Sequence, residues 1–423
     1  MRKLSANYLF TLDDEPIKEG VVILDEQGIV LEVLKDRTCV ADIEFFDGIL
    51  CPGLINSHGH LELSHLKGKI ERHTGLVDFI LGVQKFRNAD PEEIQHAFHE
   101  AEDHLFDQGI VGMGDISNTD STFGLKAKGR IRYHTFFECF GFNSSNSSKI
   151  LSAAQLLKEQ LLNEQLLKQE TSNWLSDAIL TSFSTQSNKG NKNQPEVSAS
   201  ARQLSQGSIN PHAPYSVSEA LFRAISLSEP GIISIHNQEC EAENEFYQQG
   251  TGDFQRLYKT FGIDISAFKP PGKNSLPAYA EWLGHQRKLL VHNTFTSATD
   301  LAAISKGDNY AFCLCPAANL FIENRLPDVL LLKESGWPIL IGTDSLASND
   351  RLDLLHEMYL IQHAFPKISL KTLLTWGCKN AAEFFGWTDL GTISPGKKPG
   401  IVQIINLGED FMLKPESKSK RLV

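Results

Sequence analysis

The sequence predicts an α/β protein: a (β/α)8 barrel with a small β-sandwich domain built from both chain ends. Three observations favour this architecture. Eight short, mostly apolar segments between residues 48 and 345 have the character of buried strands. Amphipathic, helix-like segments lie between several of them, an alternation typical of parallel α/β folds. Alternating strand-like segments with turns occupy both ends of the chain.

The chain ends are predicted to pair with each other. Residues 1–50 contain several short strand-like stretches, and residues 388–407 have the same character. Chain termini often lie close together, so both ends can belong to one domain. We therefore expect residues 1–50 plus 386–423 to form the small β-sandwich and residues 51–385 to form the barrel.

The predicted barrel strands are spread evenly over the central part of the chain. They are residues 48–58, 109–117, 130–140, 208–216, 231–239, 288–295, 310–316 and 337–345. Between the first two, Asp90 followed by Pro91 indicates a helix start, because aspartate caps a helix and proline is favoured in its first turn.

The segment 143–207 departs from this alternation. Its first part carries leucines at helical spacing and predicts an external helix. Its second part is rich in Ser, Asn and Gln and predicts a mobile surface loop. A lid over an active site is the less favoured alternative.

Composition narrows the class of partner. The chain has 423 residues and a formal net charge of −12, whereas a nucleic-acid surface needs clustered basic groups. A small molecule is the favoured partner. The sequence contains neither a long apolar run nor a signal-peptide pattern, so we expect a cytoplasmic protein without a membrane span. The seven cysteines form no CxxC pair and are expected to be reduced thiols.

The most informative motif is His58-Gly59-His60, at the end of the first predicted barrel strand. Residues two apart on a strand point to the same face, so the two imidazoles can face one metal ion. A pair of surface or turn histidines is the usual explanation for an isolated His-x-His motif. The choice therefore depends on the rest of the chain.

Polar residues also occur at or near the ends of later predicted strands: His212, His236, Glu239, His292 and Asp344. Taken singly, each is weak evidence, because a histidine after an apolar run is more often structural than a ligand, and a carboxylate there is often a turn or surface residue. Together, the imidazoles and carboxylate at the ends of strands one, five, six and eight form a mixed nitrogen and oxygen set that suits Zn²⁺ or Fe²⁺. We expect one divalent ion, with zinc favoured over iron.

The order of these motifs resembles the amidohydrolase superfamily. His-x-His after Pro-Gly-x-x-Asn, then His-x-x-Glu, a later His and a late Thr-Asp-Ser carry the resemblance, which covers most of the chain. The absence of a lysine at the end of strand four favours the one-metal branch. The stretches at 60–64 and 211–216 resemble deaminases of adenine-bearing nucleosides, including those acting on S-adenosylhomocysteine and on aminodeoxyfutalosine. The stretches at 60–68 and 236–239 favour the aminodeoxyfutalosine deaminases within this resemblance. One departure is Pro399-Gly400-Ile401, where the family usually has Ala-Asp-Leu.

The resemblance implies a hydrolytic deamination with defined roles. The metal ligands would be His58, His60, His236 and Asp344. Asp344 would also accept a proton from the attacking water, and His292 would hydrogen-bond to the developing alkoxide. Glu239 would protonate the ring nitrogen beside the attacked carbon, because a buried carboxyl has a raised pKa.

Substrate contacts are predicted from three further residues. His212 is expected at the sugar or tail, although a structural role is nearly as well supported. Glu62, in the loop after His60, reaches the site mouth or is simply solvated. Arg325 is a candidate for a substrate carboxylate, along with Lys67 and Arg72. The carboxylates after Glu239 are expected at the surface: Glu241, Glu243 and Glu245.

Other functions remain open at this point. A chlorohydrolase or a guanine-type deaminase could use the same site, but Glu239 favours a deaminase because the ring and the leaving amine need protons. A catalytically silent scaffold is a remote alternative, since the full ligand set is present. A homodimer is compatible with the family, although the sequence indicates no interface.

Overall fold

The computed structural model describes residues 1–38, 40–142, 146–183, 206–305, 307 and 309–423, with only the backbone described from 169 to 183 and at 206. Its strands are β1 Arg2–Leu9, β2 Ile17–Lys18, β3 Val21–Leu24, β4 Val30–Leu34, β5 Glu44–Pro52, β6 Leu54–Gly59, β7 Ile110–Ser117, β8 Arg132–Cys139, β9 Gln206–Pro211, β10 Ile232–Asn237, β11 Arg287–His292, β12 Tyr310–Leu314, β13 Ile339–Ile341, β14 Ile401–Ile405 and β15 Lys418–Arg421.

Helices lie between most of the central strands. They are α1 Leu76–Phe86, α2 Pro91–Asp107, α3 Phe123–Lys126, α4 Ser147–Phe183, α5 Glu219–Ser228, α6 Glu241–Gln249, α7 Phe254–Phe261, α8 Ser275–Tyr279, α9 Ala298–Ala302, α10 Pro316–Glu323, α11 Val329–Glu334, α12 Leu354–Ala364, α13 Leu370–Leu374 and α14 Ala381–Phe385. A π-helical turn, Thr375–Asn380, joins the last two. Short 3₁₀ turns occur at Leu61–Leu66, Pro214–Ser216, Ala280–Trp282 and Glu409–Phe411.

The central strands form two four-stranded parallel sheets, in the orders β6-β7-β8-β9 and β10-β11-β12-β13. The sheets meet at both edges. On one side, the backbone N–H of Thr343 donates to the carbonyl of His58 at 3.0 Å. On the other, the N–H of His236 donates to the carbonyl of His212 at 2.9 Å. The predicted alternation of buried parallel strands with helices is therefore confirmed. The strands form two sheets that are hydrogen-bonded to each other at their edges.

The two chain ends pair in one mixed sheet, with strand order β15-β14-β5-β1-β3-β4 and β2 beside β1. β5 lies antiparallel to β14 and parallel to β1, so strands from both ends are neighbours. The apolar side chains of these strands form their own buried cluster, with Leu4, Val22, Leu50 and Ile401 among its members. The described residues show a single sheet here, which does not confirm the predicted sandwich.

Two local predictions about helices are confirmed. The carboxylate of Asp90 accepts a hydrogen bond from the N–H of Glu92, and the helix begins at Pro91. The leucine-rich segment forms α4, which buries Ala154 and Leu161. The loop predicted after this helix lies outside the described residues.

Two expectations from composition concern the cysteines and the membrane. The six cysteines in the described residues are buried and free of disulfides, in accord with the expected reduced thiols. None of the helices that the structure describes has the length and apolarity needed to cross a membrane.

Gly342, just after β13, allows the two parallel sheets to approach each other closely. A Cβ added at this position would lie 2.8 Å from the carbonyl oxygen of His58 and 2.9 Å from its amide nitrogen. Both are backbone atoms of β6, which cannot rotate away as the end of a long side chain can. The packing of β13 on β6 therefore needs a residue without a side chain at this point.

We expect Gly342→Ala to lower the free energy of unfolding by about 1–3 kcal/mol, the usual cost of overpacking. Gly124→Ala is the matched control, because an added Cβ there meets nothing within 4 Å. Denaturant unfolding of both variants measures the difference. Equal stability of the two variants would contradict the proposed contact.

Candidate metal centre and active site

Histidines from distant parts of the chain converge with one aspartate where β6, β10 and β11 end. Ligand atoms of His58, His236, His292 and Asp344 all lie within 4.8 Å of one another, and all four residues are buried. His60 adjoins this group: its Nε2 lies 3.1 Å from Nε2 of His58 and 3.2 Å from Oδ1 of Asp344. The structure therefore brings together the histidines and the aspartate that the sequence singled out as ligands, and adds His292 to them.

The chemistry of this group fits a divalent cation. Nε2 of His58 lies 3.4 Å from Oδ1 of Asp344, so two imidazole nitrogens face the same carboxylate oxygen. Nδ1 of His58 is buried and has no hydrogen-bond partner. A buried set of imidazole nitrogens and a carboxylate oxygen is a ligand set that zinc and iron accept.

Neighbouring oxygens fix the orientation of two of the imidazoles. Nδ1 of His236 lies 2.9 Å from the carbonyl oxygen of His212, and Nδ1 of His292 lies 2.9 Å from Oδ1 of Asn319. Because an oxygen acceptor requires an N–H at each Nδ1, the lone pair of each ring is at Nε2. This is the arrangement that supporting hydrogen bonds give to metal-binding histidines.

The backbone is constrained at the same place. His292, Asn293 and Asp344 have φ values of 73°, 60° and 56°, in the left-handed region that side-chain-bearing residues seldom adopt. The side chain of Asn293 supports this turn by donating to the carbonyls of Leu290 and Cys313, at 2.9 and 3.2 Å. Backbone strain of this kind clusters at functional sites, because the surrounding contacts must maintain it.

Asp344 is held as a carboxylate. Burial alone would raise the pKa of its carboxyl, but hydrogen bonds from His58 and His60 hold that pKa well below its usual range. Burial lowers the pKa of His58 to about 4. At His60 burial also acts to lower the pKa, but the hydrogen bond and charge of Asp344 outweigh it and raise the pKa to about 9. The negative charge is therefore balanced inside the site by a cation, either a proton on His60 or a metal ion.

Glu239 has the opposite electrostatics. Its side chain is buried, and burial raises the pKa of its carboxyl well above the usual range, with a further contribution from the charge of Asp344. Its Oε1 lies 3.5 Å from Nε2 of His292. A raised pKa favours the protonated form of a carboxyl, which can act as a proton donor.

Sequence reasoning missed Glu138, at the end of β8. Its Oε1 lies 3.4 Å from Nδ1 of His236, and Asn118 donates a hydrogen bond to its other oxygen at 3.3 Å. Burial raises the pKa of its carboxyl to about 7. The signal was present, because a polar residue near the carboxyl end of a buried strand also singled out His236 and Asp344.

The predicted substrate contacts divide into two groups. His212 and Glu62 line the cavity beside the histidine cluster. Glu62 is buried rather than solvated, because its carboxylate accepts hydrogen bonds from Asn118 and Thr119. Arg325 does not line this cavity: its guanidinium lies over the ring of Phe295, 4.5 Å from the ring centre.

One of the three predicted surface carboxylates is buried. Glu243 accepts a hydrogen bond from the N–H of Gln238 at 3.0 Å and another from the hydroxyl of Ser275. Burial raises the pKa of its carboxyl to about 7. Glu241 is exposed and Glu245 partly exposed, so only Glu243 departs clearly from the expectation.

The cavity itself measures about 160 Å³. Its polar lining includes His236, Glu239, His292 and Asp344. The helix α1 lines the apolar part with four residues spaced on one helical face: Leu76, Phe79, Ile80 and Val83. A polar reacting end with an apolar wall is typical of a pocket for a small organic molecule.

Comparison with known proteins agrees with this geometry. The model of the amidohydrolase family matches residues 49–414. An adenosine deaminase of Helicobacter pylori is 25% identical over 386 residues, which cover 88% of this chain and 84% of that protein.

Two solved structures have a similar fold. Helicobacter pylori aminofutalosine deaminase in complex with methylthio-coformycin has a TM-score of 0.75 and 21% identity, and the match covers 97% of this chain and 93% of that one. Atrazine chlorohydrolase from Arthrobacter aurescens, complexed with zinc, has a TM-score of 0.68 and 17% identity, and the match covers 95% and 86% of the two chains.

We expect the purified protein to bind about one equivalent of zinc or iron. His236→Ala removes an imidazole from the centre of the cluster and should reduce the bound metal to a small fraction of that amount. His96→Ala is the control, because it removes the same side chain from a position that is 75% exposed. Elemental analysis measures the metal content. A His236→Ala variant that retained the full equivalent would contradict the metal centre.

Proposed function

The chain belongs to the amidohydrolase family, and we propose that it is a metal-dependent hydrolytic deaminase of an adenine-type nucleoside, releasing ammonia. The observation that carries the proposal is the pairing of two carboxyls with opposite electrostatics. Hydrogen bonds within the histidine cluster hold the pKa of Asp344 well below its usual range, and burial in the same cavity raises the pKa of Glu239 well above its usual range. Two such groups provide a base and an acid at one pH. The relatives whose names specify deamination support the same reaction.

The proposal extends to the architecture. The two parallel sheets, which hydrogen-bond at both edges, would be the two halves of a (β/α)8 barrel made by residues 51–385. Residues 1–50 and 386–423 would form the small domain. The shared sheet of β1, β5 and β14 supports this division.

Among the five clustered residues, we assign the metal to His58, His60, His236 and Asp344. Zinc is the favoured ion because it occupies the solved atrazine chlorohydrolase relative. When bound, a divalent ion supplies a nucleophilic water at neutral pH by lowering its pKa. We place His292 on the substrate side, because Asn319 holds its Nδ1 and its Nε2 lies near Glu239.

Glu239 and Asp344 then carry out the proton transfers. Glu239 gives its proton to the ring nitrogen next to the amino-bearing carbon, which makes that carbon open to attack. Asp344 takes one proton from the attacking water and delivers it to the departing amine. Nε2 of His292 accepts a hydrogen bond from the remaining hydroxyl, whose proton then returns to Glu239 as the lactam forms. Amine plus water becomes oxo product plus ammonia, and both carboxyls end as they began.

A chlorohydrolase is the second candidate, favoured by the fold shared with atrazine chlorohydrolase. A deaminase of guanine or another base would use the same residues. A panel of adenine nucleosides, free aminopurines and a chlorinated triazine distinguishes these activities by ammonia or chloride release. The proposed function would be wrong if no adenine nucleoside released ammonia.

On an adenine nucleoside that is turned over, we expect Glu239→Gln to lower kcat by about 10²- to 10⁴-fold, the usual contribution of a general acid. The amide fills the same space but cannot supply the proton. Glu241→Gln, the same change at an exposed position on α6, is the control and should leave kcat unchanged. Ammonia release measures both. Similar activity in the two variants would contradict the role of Glu239.

Histidine replacements separate metal binding from substrate chemistry. His60→Ala should lose most of the bound metal. His292→Ala should keep the metal but lower kcat by about 100-fold or more, because the acceptor that orients the attacking hydroxyl is removed. Elemental analysis and ammonia release on the same samples provide the two measurements. The reverse outcome, with metal lost from His292→Ala and retained by His60→Ala, would exchange the two assignments.

A further inference from the structure

We propose that Glu243 is a positioning residue for proton transfer: its buried carboxyl holds the turn that carries Glu239 into the cavity. This inference rests on the proposed function, because Glu239 is the proton donor of the proposed deamination. Glu243 does not line the catalytic cavity itself, so it acts through Glu239 rather than on the substrate.

The turn after β10 places Glu239 two residues beyond the end of the strand. Gln238, the first residue of the turn, has a φ of 44°, in the left-handed region that side-chain-bearing residues seldom adopt. A backbone conformation of this kind persists only where neighbouring contacts maintain it. The position of Glu239 therefore depends on the contacts that hold Gln238.

Hydrogen bonds hold the backbone of Gln238 from two sides. Its N–H donates to Oε1 of Glu243 at 3.0 Å, and its carbonyl accepts from the N–H of Phe295 at 2.9 Å. Oε1 of Glu243 also accepts from the hydroxyl of Ser275, at the start of α8. One carboxyl oxygen therefore joins α6 and α8 to the turn.

Capping of α6 does not by itself explain a fully buried glutamate at this position. Burial raises the pKa of the Glu243 carboxyl to about 7, against the opposing effects of the Ser275 hydroxyl and of the N–H groups of Gln238 and Glu239. Burying a carboxylate costs more free energy than burying a hydroxyl or an amide, either of which can cap a helix. The N-cap residue is instead Cys240, and its side chain makes no capping hydrogen bond.

Glu243 acts through the position of its oxygen rather than through its charge. Burial is the main cause of the raised pKa of Glu239, and the charges of Asp344 and Glu323 precede that of Glu243 among the further causes. A neutral amide at position 243 leaves these main causes in place, and its oxygen can still accept from Gln238. A shorter carboxylate keeps the charge but withdraws the oxygen from the turn.

Three substitutions separate the two effects on an adenine nucleoside that is turned over. Glu243→Gln keeps the acceptor and should retain most of kcat. Glu243→Ala should lower kcat by about 10²-fold, the cost of a small misplacement of a reacting group. Glu243→Asp is one methylene shorter and should resemble the alanine variant. An active Glu243→Asp with an inactive Glu243→Gln would overturn the inference, and so would full activity of Glu243→Ala.

A double-substitution cycle tests whether Glu243 acts through Glu239. In the Glu239→Gln background, Glu243→Ala should cause little further loss of kcat, because the proton donor is already missing. A second loss of the same size would overturn the inference. Glu102→Ala is the matched control, because it removes another buried carboxyl, on α2. It should lower the free energy of unfolding and leave kcat unchanged.

Hydrogen exchange keeps the two proposals separate. If none of the nucleosides were deaminated, the proposed function would fail, but the turn can still be tested. The amides of Gln238 and Glu239 should exchange faster in Glu243→Ala than in the unaltered protein, whereas Glu243→Gln should match the unaltered protein. The metal content should be the same in all three, because His236 lies on β10 before the turn. Equal exchange in the two variants, or loss of metal from Glu243→Ala, would overturn the inference.

Discussion

The site depends on a buried negative charge that must be balanced at the edge where the two parallel sheets meet. Asp344 follows β13, and its own N–H donates to the carbonyl of His58 at 3.1 Å. Asn56 strengthens the same seam by accepting from the N–H of Thr343 and donating to its hydroxyl, at 3.1 and 2.8 Å. The hydrogen bonds that join the two sheets therefore also place the carboxylate of Asp344 beside the imidazoles. The fold and the site depend on the same contacts.

The sequence predicted the clustered residues because a general rule applies to them. In parallel α/β folds the carboxyl ends of strands meet on one side, so His58, His236 and Asp344 could be grouped without knowing any contact. Glu138 obeys the same rule and was missed only because its segment contained no second chemical signal. Glu243 could not be predicted, because its burial depends on Ser275 and on the turn at Gln238, neither of which is apparent from an acidic run.

The arginines show a second limit of prediction from the sequence. Arg325 and Arg87 are both arginines near predicted loops, and nothing in the sequence indicates which of them reaches a cavity. The answer depends on packing: Arg325 lies over the ring of Phe295, whereas α1 directs its apolar face into the pocket and Arg87 follows its last residue. Positions on strands follow from alternation, but the direction of a side chain after a helix follows from what the helix packs against.

The pKa values of Asp344 and Glu239 shift in opposite directions because the two carboxyls have different hydrogen-bond donors close to them. Asp344 has imidazole nitrogens of His58 and His60 within 3.4 Å, and these contacts outweigh its burial. Glu239 is equally buried, but the imidazole that the described residues place beside it, His292, is more distant, at 3.5 Å, so its desolvation is not offset. One carboxyl therefore favours the ionised form and the other the protonated form, although both line the same cavity. An acid and a base can thus coexist at one pH because the histidines are distributed unequally between two otherwise similar groups.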